Sequence, residues 1–172
     1  MLKKYYNDKF NIEYTLHNPS KNLLNTVKDV FKISINDYCK NNNLNFNKVC
    51  NTITIIPTWQ KSNISILQKS DDVDHEMDRL YLNFKSWLDK IKMNNKDKWI
   101  DASSPHTGKP IYGTCTNFTY NELESLKTLL KYDNEPVGCC GMIYHPEYQD
   151  KGYPITLFTN IDENNLIKEL NL

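Results

Sequence analysis

Val137-Gly138-Cys139-Cys140-Gly141-Met142-Ile143-Tyr144-His145 is followed, after a turn-rich link, by Pro154-Ile155-Thr156-Leu157-Phe158-Thr159 and then by Asp162 to Leu170. The first two stretches carry the β-branched and aromatic residues of strands, and the third sets apolar residues at helical spacing behind a capping aspartate. Working back along the chain, Tyr120 to Leu130 predicts a helix capped by Thr119, with Glu122 at the capping-box position. From Asp71 to Met93, Val73, Met77, Leu80, Phe84, Trp87, Leu88 and Ile91 recur every three or four residues. Acids at the start and Lys90 and Lys92 at the end match the helix dipole. Before it, Val49–Thr58 and Asn63–Gln68 read as two strands joined through Gln60-Lys61-Ser62-Asn63 into a hairpin. The resulting order, β-β-α-β-α-β-β-α, predicts an α+β domain: a mainly antiparallel sheet with helices packed against it.

The chain has 172 residues, a length that suits one core. Residues 48–172 hold all the strands just described. Residues 1–47 hold one amphipathic helix, with Leu23, Val27, Val30 and Phe31 spaced along it after Asn18-Pro19-Ser20, and are expected to pack on the domain as a helical and loop segment. The Asn-rich run from Asn41 to Asn47 reads as a loop.

Composition narrows the functional classes. Lys and Arg total 21, Asp and Glu total 21, and no block of one sign concentrates the positive potential that nucleic acid or anionic lipid needs. Arg79 is the only arginine, which argues against bidentate phosphate clamps and a nucleotide cofactor. The first residues, Met1 to Asp8, have no apolar signal core and no arginine, and five cysteines without framework spacing suit a reducing compartment; a cytoplasmic location is expected. A mitochondrial pool is expected only for a form carrying an N-terminal leader.

Gly138-Cys139-Cys140-Gly141 is the unusual feature, two thiols between residues with no side-chain bulk. Buried cysteines often only fill a core, so packing remains an alternative. If one strand runs through both, adjacent side chains point to opposite faces, so one thiol would act and the other would pack. His145, before Pro146, fits a structural hydrogen-bonding role, and His106 has no evident partner. Ser103 and Ser104 lack a nucleophile elbow, and Trp59, Trp87 and Trp99 fit a core.

Taken together, Trp99, Asp101, Ser103-Ser104, Gly108, Gly113, Thr116-Asn117, Gly138-Cys139-Cys140, His145 and Phe158-Thr159-Asn160 form an ordered set of motifs, and with them the chain resembles the cobalamin-trafficking cblD family. That family is also called methylmalonic aciduria and homocystinuria type D protein. The resemblance is strongest from Lys98 to Leu170. It implies a reduced nitroreductase-like fold without flavin, and a non-enzymatic adaptor that docks on a cblC-type cobalamin-processing protein. Cobalamin would then pass toward methionine synthase or methylmalonyl-CoA mutase. By position Cys139 would give its thiolate to the cobalt of partner-bound cobalamin, a soft donor suited to that metal. Gly138, Cys140, Ser103, Ser104, Thr116 and Asn117 would support it. Two departures stand out: extra residues from Pro105 to Thr107 after the serines, and Gly141 where the family pattern has lysine. The competing class is a thiol-dependent redox enzyme or nitroreductase-like flavoprotein, with Cys140 as resolving thiol.

Overall fold

In the computed structural model, residues 2–67, 69–132, 134–137 and 140–171 are described, residues 134–137 and 140–142 through their backbone. The chain is α+β. Its strands are β1 (Lys4–Asn7), β2 (Ile12–Thr15), β3 (Thr54–Lys61), β4 (Ile100–Ala102), β5 (Asn134–Val137), β6 (Cys140–Ile143) and β7 (Gly152–Thr159). Its helices are α1 (Lys21–Val30), α2 (Lys32–Asn41), α3 (Phe46–Cys50), α4 (Asp71–Asn94), α5 (Glu122–Leu130) and α6 (Glu163–Leu170).

A five-stranded antiparallel sheet in the order β1-β2-β3-β7-β4 forms the middle layer, and β5 and β6 make a separate hairpin. Its central pair, β3 and β7, is buried on both faces, so apolar residues fall at successive positions instead of strictly alternating, with Thr58, Gln60 and Thr156 as buried polar residues among them. Ile56, Tyr153, Ile155 and Leu157 point into a core closed by Leu80, Phe84, Trp87, Leu88 and Ile91 of α4 and by Leu166 and Leu170 of α6. On the other face Ile55 and Phe158 meet Val27, Val30, Phe31, Ile35 and Cys39 of α1 and α2, while Trp59 meets Leu126 and Leu130 of α5 and Ile143 of the hairpin.

Where periodicity was strong, the structure agrees with the sequence. Helix α4 starts behind Ser70, whose side chain accepts from Val73 N; Ser20 caps α1 and Asp162 caps α6. Four expectations are corrected. Val49 and Cys50 end helix α3, because Asn45 caps it by accepting from Lys48 N; the strand begins at Thr54. Asn63–Leu67 forms no strand: both edges of β3 are taken by β2 and β7, and the chain bends away with Asn63 N donating to Glu76 Oε1 at 2.7 Å. Asn121, not Thr119, caps α5, which frees Glu122 for another role. The stretch from Val137 to His145 is not one strand, since Val137 ends β5 and pairs across the hairpin with Cys140 of β6.

The first 47 residues also hold more than the one helix expected. Hairpin β1–β2 extends the main sheet through β2 against β3, and α2 follows α1 after Phe31. Among the described residues, no helix is long and apolar enough to cross a membrane.

Candidate functional site

Of the residues singled out in the sequence, Gly138 and Cys139 lie outside the described residues, and Cys140 is described through the backbone that opens β6. The argument that Cys139 and Cys140 face opposite ways rested on one strand through both, and the hairpin removes that premise. Of the other cysteines, Cys39 and Cys50 are buried and Cys115 is exposed. Burial pushes the Cys50 thiol up to about 11 against the pull of Lys28, which leaves it a poor donor at neutral pH. Among the described residues there is no group of three or more His, Cys, Asp or Glu that could hold a metal ion.

The second group of candidates gathers in one loop, from Ser103 to Thr119. Ser103 continues β4 and pairs through its backbone with Pro110 and with Thr156 of β7. Ser104 closes the turn that follows: its carbonyl accepts from Gly108 N at 2.7 Å and its N–H donates to Lys109 O at 2.7 Å. Gly108 sits at φ 65°, and a Cβ there would lie 2.5 Å from Tyr120 O, so both conformation and space demand glycine. Lys109 reaches along the loop, donating through Nζ to Thr116 O at 2.5 Å and Phe118 O at 3.2 Å. Thr116 in turn donates to Asp29 O at 3.1 Å at the end of α1. Asn117 is exposed. Ser103, Ser104, Thr116 and Asn117 therefore share one loop braced on α1.

What fixes that loop is a pair of acids, Asp101 of the ordered motifs and Glu122, which was expected only at a capping-box position. Asp101 is buried, and its carboxylate accepts from three backbone N–H groups, Ala102 at 2.8 Å, Tyr112 at 3.1 Å and Gly113 at 2.9 Å. Burial raises its pKa, partly offset by those N–H donors. Glu122, at the start of α5, accepts from Ser103 Oγ at 3.0 Å and from Thr156 Oγ1. Burial pushes its carboxyl up to about 7, because two hydroxyls only partly replace water and no ammonium or guanidinium bonds to it among the described residues. Ser103, 1% exposed, is consequently turned into the protein instead of toward solvent.

Other residues of the ordered motifs also hold the fold together. Asn160 accepts from Trp99 N at 2.7 Å, and Thr159 Oγ1 donates to Trp99 O at 3.1 Å, locking the start of β4 to the end of β7. A Cβ on Gly113 would sit 2.6 Å from Ser34 Cβ and 2.8 Å from Asp101 Oδ2. Trp99, Asp101 and Gly113 line, with Tyr38, Lys92 and Lys98, a recess of about 410 Å3.

His145 takes the structural role its sequence context suggested. It is 0% exposed, with Nε2 2.9 Å from Glu13 Oε1 and Nδ1 accepting from Glu147 N at 3.2 Å and Tyr148 N at 3.1 Å. His106 is exposed, with its ring edge-on to Tyr81. The contacts of Glu122 with Ser103 and Thr156 and of His145 with Glu13 join residues far apart in sequence, so no local pattern announces those partners.

Comparison with known proteins adds one observation. Over 119 residues, 68% of the chain, it is 24% identical to the cobalamin trafficking protein CblD of Gallus gallus. That match spans 40% of the length of the chicken protein. No family model matches the chain.

Proposed function

We propose that this chain is a non-enzymatic cobalamin-trafficking adaptor that docks on a cblC-type processing protein and presents the Cys139 thiolate to the cobalt of cobalamin held there. The observation that carries this reading is the similarity to the chicken protein, whose name states cobalamin trafficking. The fold supports it from a second direction. The side chains of Trp99, Asp101 and Asn160 make hydrogen bonds, and Gly108 and Gly113 fill spaces, that other residue types would not reproduce, as expected if the ordered motifs preserve a shared scaffold.

In this reading the loop from Ser103 to Asn117 and the hairpin β5–β6 face the partner, and Gly138, Cys140, Ser104, Thr116 and Asn117 support the sulfur donor. Ser103 contributes from beneath, by holding the loop to Glu122. A thiolate is polarizable and binds cobalt better than a hydroxyl or neutral thiol does. The cobalamin then moves on to methionine synthase or methylmalonyl-CoA mutase, from a cytoplasmic pool.

The test is to mix the purified chain with a cobalamin-loaded cblC-type protein and record the visible spectrum while following complex formation by size-exclusion chromatography. A stable complex with a shifted cobalt spectrum is expected. A purified chain that is yellow with flavin, or that oxidises a reduced nicotinamide, would move it to the thiol-dependent redox enzymes or nitroreductase-like flavoproteins. A complete absence of complex would remove the adaptor reading.

A further inference from the structure

The turn after hairpin β5–β6 is held by a closed ring of polar contacts around one buried histidine. Nδ1 of His145 accepts from two backbone N–H groups, Glu147 and Tyr148, so in the neutral ring the proton sits on Nε2 and is donated to Glu13 Oε1. Glu13 also meets Lys4 Nζ at 3.2 Å, and Lys4 reaches Glu147 Oε1 at 3.3 Å, which returns the ring to the turn. Burial pushes the Glu13 carboxyl up, and the bonds from His145 and Lys4 more than offset this, keeping it an anion below its ordinary range.

The ring sits in an aromatic box. Tyr148 stacks on the imidazole at 4.0 Å between centroids, with Trp59 of β3 at 5.1 Å and Tyr132 beyond α5 at 5.6 Å. From β7, Gly152 approaches so closely that a Cβ would lie 2.9 Å from His145 Cβ. Thus, among the described residues, Lys4 from β1, Glu13 from β2, Tyr132, and Glu147 and Tyr148 from the turn itself are the titratable groups that face the imidazole.

We propose that His145 is a proton-operated latch whose Nδ1 holds the Glu147 and Tyr148 amides of the turn when the ring is neutral and frees them when it is protonated, while Nε2 stays fastened to Glu13 of strand β2 in both states. The asymmetry of its two nitrogens is the reason. A second proton must go on Nδ1, where it would point at two N–H donors and eliminate both bonds, while the Nε2–H to Glu13 contact survives and gains charge. The strain therefore falls on the turn and not on the sheet. Ile143 remains packed with Trp59, Leu126 and Leu130, so the opening is local.

NMR on the full chain reads both halves of this proposal. The ring nitrogen shifts report the protonation state directly: with Nε2 protonated and Nδ1 bare the Glu147 and Tyr148 amides should be protected, and once acid protonates Nδ1 their exchange, corrected for its intrinsic pH dependence, should rise roughly tenfold or more while amides within α4 stay protected. His145→Asn places an oxygen acceptor that cannot be protonated in this range near the same two amides, and should hold them protected throughout the titration. Glu13→Gln removes the anion that favours the imidazolium, so the opening should move to lower pH. Flat protection in the wild type, loss shared equally by α4, or an unshifted transition in Glu13→Gln overturns the latch. Should His145→Asn fail to fold, the wild-type and Glu13→Gln measurements decide alone.

Discussion

Ser103 donates its hydroxyl to the Glu122 carboxylate at 3.0 Å, so a serine at a strand end is bound from within to the first turn of α5. This contact crosses from the β4 edge of the sheet to a helix, and it makes the loop beyond Ser103 sensitive to the charge of one acid.

The first prediction concerns pH. The folded chain holds the Glu122 proton up to about pH 7, whereas an ordinary glutamate releases it near 4.5. The folded state therefore binds more protons between those values. The stability contributed is full below the lower value, declines as pH rises, and is lost above about 7. Wild type should lose about 1–3 kcal/mol from this group between pH 5 and pH 8, allowing for partial solvent access. Urea midpoints at the two pH values measure it, and Glu122→Gln should abolish most of the difference. An equal pH dependence in that variant would mean that another group is responsible.

Asp101→Asn should cost about 2–4 kcal/mol, because one amide N–H₂ would confront backbone donors that now share a carboxylate. The loss should concentrate in the loop. Hydrogen exchange should accelerate at Tyr112 and Gly113, the more distant donors, before it does in α4. Unchanged exchange there would show that the carboxylate does not hold the loop.

Gly113→Ala should destabilise by about 1–3 kcal/mol, since the added methyl meets both Ser34 on α2 and the Asp101 carboxylate, and one of them must shift. Chemical denaturation measures the cost. A neutral result would mean that the loop and α2 separate easily.

Cys139→Ser should eliminate the sulfur-dependent cobalt spectrum of the partner-bound cobalamin while leaving the complex intact, because serine offers a harder and less ionised donor. Cys140→Ser should retain the spectrum in whatever protein remains folded. If its thiol packs, burying an unpaired hydroxyl would cost on the order of 1–3 kcal/mol. Size-exclusion chromatography with absorbance detection separates docking from coordination. A full spectrum in Cys139→Ser would defeat the thiolate mechanism, and equal loss in both variants would point to the cysteines acting as a pair.

Legibility in the sequence followed the range of the interactions involved. Helix α4 was readable because its apolar spacing, its acidic first turn and its terminal lysines all lie within one segment. The same holds for α1 and α6 and for strand β7, whose composition alone marks it as extended. Strands β1 and β2 were missed because they are short, and because Glu13 breaks the apolar pattern while being paired with Lys4 across the hairpin and hydrogen-bonded by His145 from the far end of the chain.

By itself, then, the sequence determined the α+β class, the long central helix, the closing helix and the ordered motifs that resemble a trafficking family. Only the tertiary structure decided that Asn63–Leu67 has no strand to join, that Val137 and Cys140 oppose each other across a hairpin, and that Ser103 turns inward to Glu122. For the first and the last the physical reason is the same, while the hairpin is local and was hidden because its two arms share one strand-like composition. Strand pairing and the desolvation of a carboxylate depend on groups brought from distant parts of the chain, and a local run of residues carries no record of which partners will arrive.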